Sequence, residues 1–295
     1  MVFFTLIHNW LYANVYVPYK YSRLTKMLNI KDSTETLNFI LEHKCSVSRF
    51  GDYEYMSIYE ETNNFQTSNK RAAERLKEVL NSNLSDHIVC IPHSFINCKN
   101  NDKRSATFWK HYVTEYYDKI LNVTDTNKQY YDASFTRFYM DARDKSHIGE
   151  YVKEMSKIWE KKDVYIIEGK GTRFGVNNDL FDNVASIHRI LCPSTNAFDK
   201  YDEILKESLI HIPKNENVVV LCALGMTATI LAYDLAQEGY QAIDIGHADI
   251  EYMWYKLGAT RKIPINGKSV NEVGINLDTI SGDPEYLRQI IAKVL

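Results

Sequence analysis

Several familiar signatures are missing from this chain of 295 residues. No stretch approaches the ~18 to 20 consecutive apolar residues that span a bilayer. There is no excess of basic charge: a formal net charge of −3 gives no electrostatic footprint for nucleic acid. No C-x-x-C pair occurs, and the five cysteines (Cys45, Cys90, Cys98, Cys192 and Cys222) are odd in number and scattered. Three of them lie in or beside apolar runs, which points to reduced, buried thiols in a cytoplasmic protein rather than to a disulfide framework. The aromatic opening MVFFTLIHNWLYANVYVPY has no basic leader and no small-residue cleavage site, so it does not read as a secretory signal. No internal repeat and no low-complexity linker divides the chain.

What is present is an ordinary globular composition, 45% apolar, sufficient for a large core. Residues 1–32 form an aromatic arm that packs on the core or meets a membrane or protein partner, an option supported by Tyr19-Lys20-Tyr21-Ser22-Arg23. Residues 33–260 read as the main domain and 261–295 as an extension packed on it. Buried strands are expected at Cys45–Phe50, His87–Pro92, Asp163–Ile167 and Ile187–Cys192, with helices between them, so the fold class is α/β with a mostly parallel, Rossmann-like sheet. A helix from Ser33 to His43 is expected to start at a capping-box-like Ser33/Thr36 region. The stripe Phe108, Trp109, Tyr112 and Tyr116 is read as core.

The segment Val218–Tyr255 reads as a complete strand, turn, helix and strand. Val218–Ala223 is an unbroken apolar run of the type buried on both faces, and Gly239 stops the helix that follows. The helix start would offer backbone N–H groups and the hydroxyls of Thr227 and Thr229 to an anion, so a phosphate-bearing ligand is expected there. A well-capped structural helix is the plainer alternative.

Arg49-Phe50-Gly51-Asp52-Tyr53-Glu54 lies where a strand gives way to a loop. Carboxylates two apart in extended chain point the same way, so Asp52 and Glu54 are candidates to grip Mg²⁺ or Mn²⁺, with Arg49 balancing charge; a solvated turn is the alternative. Arg137 and Arg173 would take phosphate or pair with Asp141 or Glu168. His247 would be a metal ligand, a donor to substrate or a satisfied interior histidine.

The blocks RFGDYE, SFTRFYMD, IEGKGTRFGVNNDLFDN, HRILCPSTNAFDKYDEIL and LGMTATILAYDLAQEGYQAIDIGHADIEYMW together resemble, in order and separation, the GT-D type glycosyltransferases that build glycans on bacterial adhesins and surface polysaccharides. Tyr53, Phe138, Asn177 and Met226 stand where the family pattern has glycine, proline, glycine and proline. The resemblance implies metal-dependent transfer of a hexose from a UDP-sugar, typically UDP-glucose, to a glycan or glycoprotein acceptor. It implies Asp52 and Glu54 as the Mn²⁺ or Mg²⁺ site. Donor contacts would come from Arg49, Gly51, Arg137, Arg173, Asn178, Asp179, Thr227, Thr229 and His247. Asp249 and Glu251, pointing together from extended chain, are the candidates for the base that deprotonates the acceptor; acidic capping of a following helix, Ile250 to Lys256, is the alternative. Two rivals are a non-catalytic transferase-like subunit or glycan-binding module, and a metal-dependent phosphosugar or nucleotide hydrolase.

Overall fold

The structure is a computed structural model in which residues 11–63 and 66–295 are described. The first ten residues of the aromatic arm therefore lie outside the described residues. Nine parallel strands form one sheet: β1 (Asn29–Ile30), β2 (Ser46–Arg49), β3 (His87–Ile91), β4 (Gln129–Asp132), β5 (Asp163–Gly169), β6 (Ser186–Cys192), β7 (Val218–Ala223), β8 (Ala242–Asp244) and β9 (Ile290–Lys293). Their spatial order is β1-β4-β3-β2-β8-β7-β5-β6-β9. The chain thus lays down β2, β3 and β4 on one side, builds β5 to β7 on the other, and closes the middle when β8 pairs with β2 at Val47 and Ile243.

Central strands are buried on both faces, as unbroken apolar runs require: every residue of β3 and β7 is buried. One apolar layer packs beneath the helices Lys70–Leu80, Lys103–Val123 and Met226–Gln237. The other lies beneath Ser33–His43, Ile148–Met155 and Ala248–Lys256. All five cysteines are buried and unpaired.

The structure moves some expected features. The Ser33–His43 helix is capped by Asp32, whose carboxylate accepts from Thr34 and Glu35, while Glu35 returns to the Asp32 amide. A short edge strand ahead of residue 33 and the strand β4 carry too few periodic apolar residues to be read beforehand. Residues 261–295 do more than pack against the domain, since β9 pairs with β6 and extends the sheet. The arm's described part begins as helix, with a π-type turn Tyr12–Tyr16 running into Val17–Leu24, and ends in β1. The aromatic stripe is core at Tyr112, 8% exposed, but Phe108 is 47% exposed.

Candidate functional site

Because all strands run the same way, their carboxyl ends share one edge, where open α/β sheets receive ligands. A cleft of about 490 Å³ opens there, lined from the ends of β2, β7 and β8 and from residues 260–272. Of the expected residues it gathers Arg49, Gly51, Asp52, Glu54, Arg137, His247 and Asp249. Arg173, Asn178, Asp179, Thr227, Thr229 and Glu251 are not among its lining residues.

Arg49 ends β2 and ties three elements together. Its Nε donates to the Asp244 carbonyl at 2.9 Å, Nη2 to Asp244 Oδ1 at 3.1 Å, and Nη1 to the Ala133 carbonyl at 3.0 Å. Its charge therefore balances a protein carboxylate at the end of β8. The Thr229 hydroxyl lies 2.9 Å from the Arg49 carbonyl and 3.2 Å from Asp244 Oδ2, and it is fully buried. Thr227 is 1% exposed. The expectation is thus corrected for Thr229, whose hydroxyl turns into the sheet, while Thr227 is buried and does not line the cleft; it is Gly225, just before the helix, that does.

Asp52 and Glu54 sit in the first turn of a helix, Asp52–Ile58, and not in extended chain. Residues two apart on a helix do not face one another, so the pair meets the cleft by a different route from the one expected. Glu54 Oε2 accepts from the Gly51 amide at 2.7 Å, capping the helix, while Asp52 lies at its start. Burial, and next the negative charge of Asp244, push Glu54 up to about 7; burial also raises Asp52, against the pull of Arg137. Under-compensated carboxylate oxygens beside a cleft are hard donors that suit Mg²⁺ or Mn²⁺. No cluster of three or more His, Cys, Asp or Glu side chains that could hold a metal occurs among the described residues. A metal here would take protein ligands from Asp52 and Glu54 and complete its shell from substrate and water, as Mg²⁺ commonly does.

Arg137 is 28% exposed and donates to Glu272 Oε1 at 2.9 Å, with Glu251 Oε1 at 3.8 Å. Glu272 also stands 3.4 Å from His247 Nε2. Burial lowers the His247 pKa, with Arg137, Arg49 and Lys262 adding to it against the opposing pull of Glu272, which favours the neutral imidazole. Glu272, Asp244 and Lys262 were not singled out from the sequence. Asp244 had a usable signal, a carboxylate ending a buried strand; Glu272 lies in a stretch without period.

Other expected site residues are committed elsewhere. Arg173, in left-handed backbone at φ 51°, donates to the Gly267 carbonyl at 2.7 Å and the Thr279 carbonyl at 3.0 Å, fastening the C-terminal segment. Gly171 nearby admits that segment closely, since a Cβ there would stand 2.0 Å from the Leu277 carbonyl oxygen. Asn178 donates to Asp249 Oδ1 at 2.7 Å. Asp179 faces a shallow groove elsewhere on the surface, accepting from Tyr252 and Lys256.

Asp249 and Glu251 lie in the first turn of the Ala248–Lys256 helix, which corrects the extended-chain premise for a shared base. Asp249 is buried against Lys268. Glu251, 0% exposed, accepts from the Tyr139 and Met140 amides at 2.9 and 2.7 Å, which places it as a structural acceptor behind the cleft.

The sequence profile of the glycosyltransferase GT-D fold matches residues 47–273. Glycosyltransferase GlyD of Streptococcus pneumoniae serotype 4 is 34% identical over 272 residues, covering 91% of this chain and 33% of that protein. The probable glycosyl transferase Gly of Streptococcus gordonii is 33% identical over 91% of this chain and 39% of its own length. The chain therefore spans 33% and 39% of the length of these two curated relatives. A solved structure described as domain of unknown function 1792 with a distinct glycosyltransferase fold superposes with a TM-score of 0.88 at 34% identity, covering 95% of this chain and 100% of that one. A structure described as a new glycosyltransferase from Streptococcus sanguinis gives 0.85 at 32% identity, covering 91% of this chain and 100% of that one.

Proposed function

We propose that this chain, which belongs to the GT-D family of glycosyltransferases, moves a hexose from a UDP-sugar, with UDP-glucose as the first donor to try, onto a glycan or glycoprotein acceptor of a bacterial surface. The observation that carries this reading is the juxtaposition, at the carboxyl edge of the sheet, of the acidic pair Asp52 and Glu54 with the cations Arg137 and Lys262. A diphosphate leaving group needs its growing negative charge stabilised, and preorganised cations do so with little reorganisation. A bound Mn²⁺ or Mg²⁺ would supply Lewis acidity to the same oxygens.

Around that centre the chain's own groups divide the work. Asp52 and Glu54 would hold the metal, and Glu272 orients Arg137 toward the cleft. Gly225 brings a helix N-terminus to the phosphate side. Neutral His247 offers a hydrogen bond without repelling the cations beside it. Asp249 borders the cleft but is paired with Lys268, and Glu251 is shut behind it, so neither is assigned as the acceptor's base.

The test is release of UDP from a panel of UDP-sugars with Mn²⁺, measured with and without saccharide acceptors. Release that rises with acceptor supports transfer; equal release in both arms indicates a hydrolase, and none indicates a binding subunit.

No helix among the described residues is long and apolar enough to cross a membrane. The helical arm nonetheless leaves Leu11, Val15, Tyr16 and Tyr19 between 45% and 56% exposed. No acidic residue precedes Asp32, whereas Lys20, Arg23, Lys26 and Lys31 do. This combination supports peripheral contact with an anionic membrane surface.

A further inference from the structure

One wall of the cleft stands apart from the residues proposed to hold metal and phosphate. The first turns of the Lys103–Val123 helix bring Arg104, Ser105, Phe108 and Trp109 onto it. Spacings of four residues place Arg104 with Phe108, and Ser105 with Trp109, on one helical face. Phe108 is 47% exposed, whereas Tyr112, one turn on, is 8% exposed. Phe108 is not loose: its ring lies 5.0 Å edge-on from Trp109 and 5.9 Å in a stacked arrangement from Tyr112. Trp109 in turn meets the buried Phe95 ring at 5.6 Å. A rigid aromatic surface is thus supported from behind and left open to water in front. Covering it with a ligand's apolar face is favourable and costs little ordering of the protein.

The wall borders the reaction centre, since the Tyr112 hydroxyl donates to the Asp52 carbonyl at 3.3 Å. The cleft also presents Thr172, Ser269 and Asn271, whose amide and hydroxyl groups suit the polar edge of a nucleotide. The aromatic wall presents the open Phe108 ring flanked by the exposed Arg104 side chain, while the buried Ser105 hydroxyl accepts from Asn101 at 3.0 Å. That pattern matches a pyranose, which has an apolar C–H face and a rim of hydroxyls.

We propose that Phe108 and Trp109 form the acceptor subsite, stacking a pyranose ring of the acceptor glycan while Arg104 meets its hydroxyl rim. This rests on the transfer reading above and deepens it by placing the second substrate. It also changes the meaning of the aromatic stripe, whose inner members are core and whose outer members are a binding face.

The full chain would be titrated with methyl β-glucopyranoside and with methyl N-acetyl-β-glucosaminide, following tryptophan fluorescence. UDP binding in the presence of Mn²⁺ would be measured in parallel by calorimetry. The expected result is a saturable response to at least one glycoside, weakened tenfold or more in Phe108→Ala and lost in Trp109→Phe, with UDP affinity unchanged in both variants. No saturable response to either glycoside overturns the assignment, as does a response that Phe108→Ala leaves intact. Weaker UDP binding with unchanged glycoside binding in Phe108→Ala overturns it too, by giving the wall to the nucleobase. Failure of the unaltered chain to bind UDP would count against the transfer reading while leaving the glycoside titration to decide this one.

Discussion

Gly246 and Arg49 share a space that admits only one side chain: a Cβ on Gly246 would stand 1.7 Å from Arg49 Nη2. Gly246 also holds φ at 50°, a left-handed conformation that costs other residues ~1 to 3 kcal/mol. Gly246→Ala is expected to displace the guanidinium and leave Asp244 buried without its partner, which costs ~3 to 5 kcal/mol. Thermal unfolding should show a large loss, and a near-unchanged Tm would mean that Arg49 has another place to go.

Asp52→Asn and Glu54→Gln should part company. Both are expected to abolish metal-stimulated UDP release, while only Glu54→Gln, which also weakens the helix cap at Gly51, should lose about 1 kcal/mol of stability. Calorimetric titration with Mn²⁺ and UDP checks the first effect and chemical denaturation the second. Retained metal stimulation in Asp52→Asn would remove that residue from the metal site.

Asp249→Asn strands the Lys268 ammonium, itself 1% exposed, without its counter-charge. A destabilisation of ~3 to 5 kcal/mol is expected, with residual transfer in whatever fraction stays folded. A variant of unchanged stability that lost turnover by ~10²- to 10⁴-fold would restore Asp249 as the base.

The buried His87 sets a pH dependence of the fold. Ser48 Oγ donates to the Thr229 carbonyl at 2.6 Å, so it accepts from His87 Nε2 at 2.8 Å, which fixes the proton on Nε2. Burial, then Lys128, lowers its protonation from 6.5 to about 3. The unfolded chain takes up this proton first, so the contribution to stability is complete above about pH 6.5 and is lost as pH falls from there toward 3. Denaturation curves across that window should slope more steeply for the unaltered protein than for His87→Asn, by up to about 1.4 kcal/mol per pH unit. Equal slopes would show that His87 ionises freely in the fold.

The 295-residue chain should co-sediment with vesicles containing phosphatidylglycerol more strongly than with pure phosphatidylcholine. Replacing Lys20, Arg23 and Lys26 with glutamate should abolish the difference, at roughly 1 kcal/mol per charge. Equal recovery with both vesicle types would remove the arm from any electrostatic contact with lipid.

The strands were legible where burial on both faces imposes an unbroken apolar run, as in β3, β5 and β7. The gathering of candidate residues at the cleft was legible where unusual residues share a short block: Arg49, Gly51, Asp52 and Glu54 could be read together because the turn between strand and helix keeps them together. The orientation of Asp249 and Glu251 was not legible, because two carboxylates at the start of a helix look the same in sequence whether they face ligand, lysine or backbone amide. Arg173 illustrates the same limit, since a glycine-flanked arginine can serve a phosphate or, as here, two carbonyls about a hundred positions later in the chain. Glu272 could be found only from coordinates, for the fold alone carries it to Arg137.

The pairing of β2 with β8 has a consequence in time. At ~5 to 20 residues per second, a ribosome that has finished β2 needs on the order of ten to forty seconds to deliver β8. Throughout that interval one side of β2 lacks its neighbour and presents an open row of backbone donors and acceptors. The emerging chain is therefore most exposed to mispairing along the seam that later becomes the middle of its sheet, and holding that edge covered until Ala242–Asp244 arrives is the task that a chaperone would meet first.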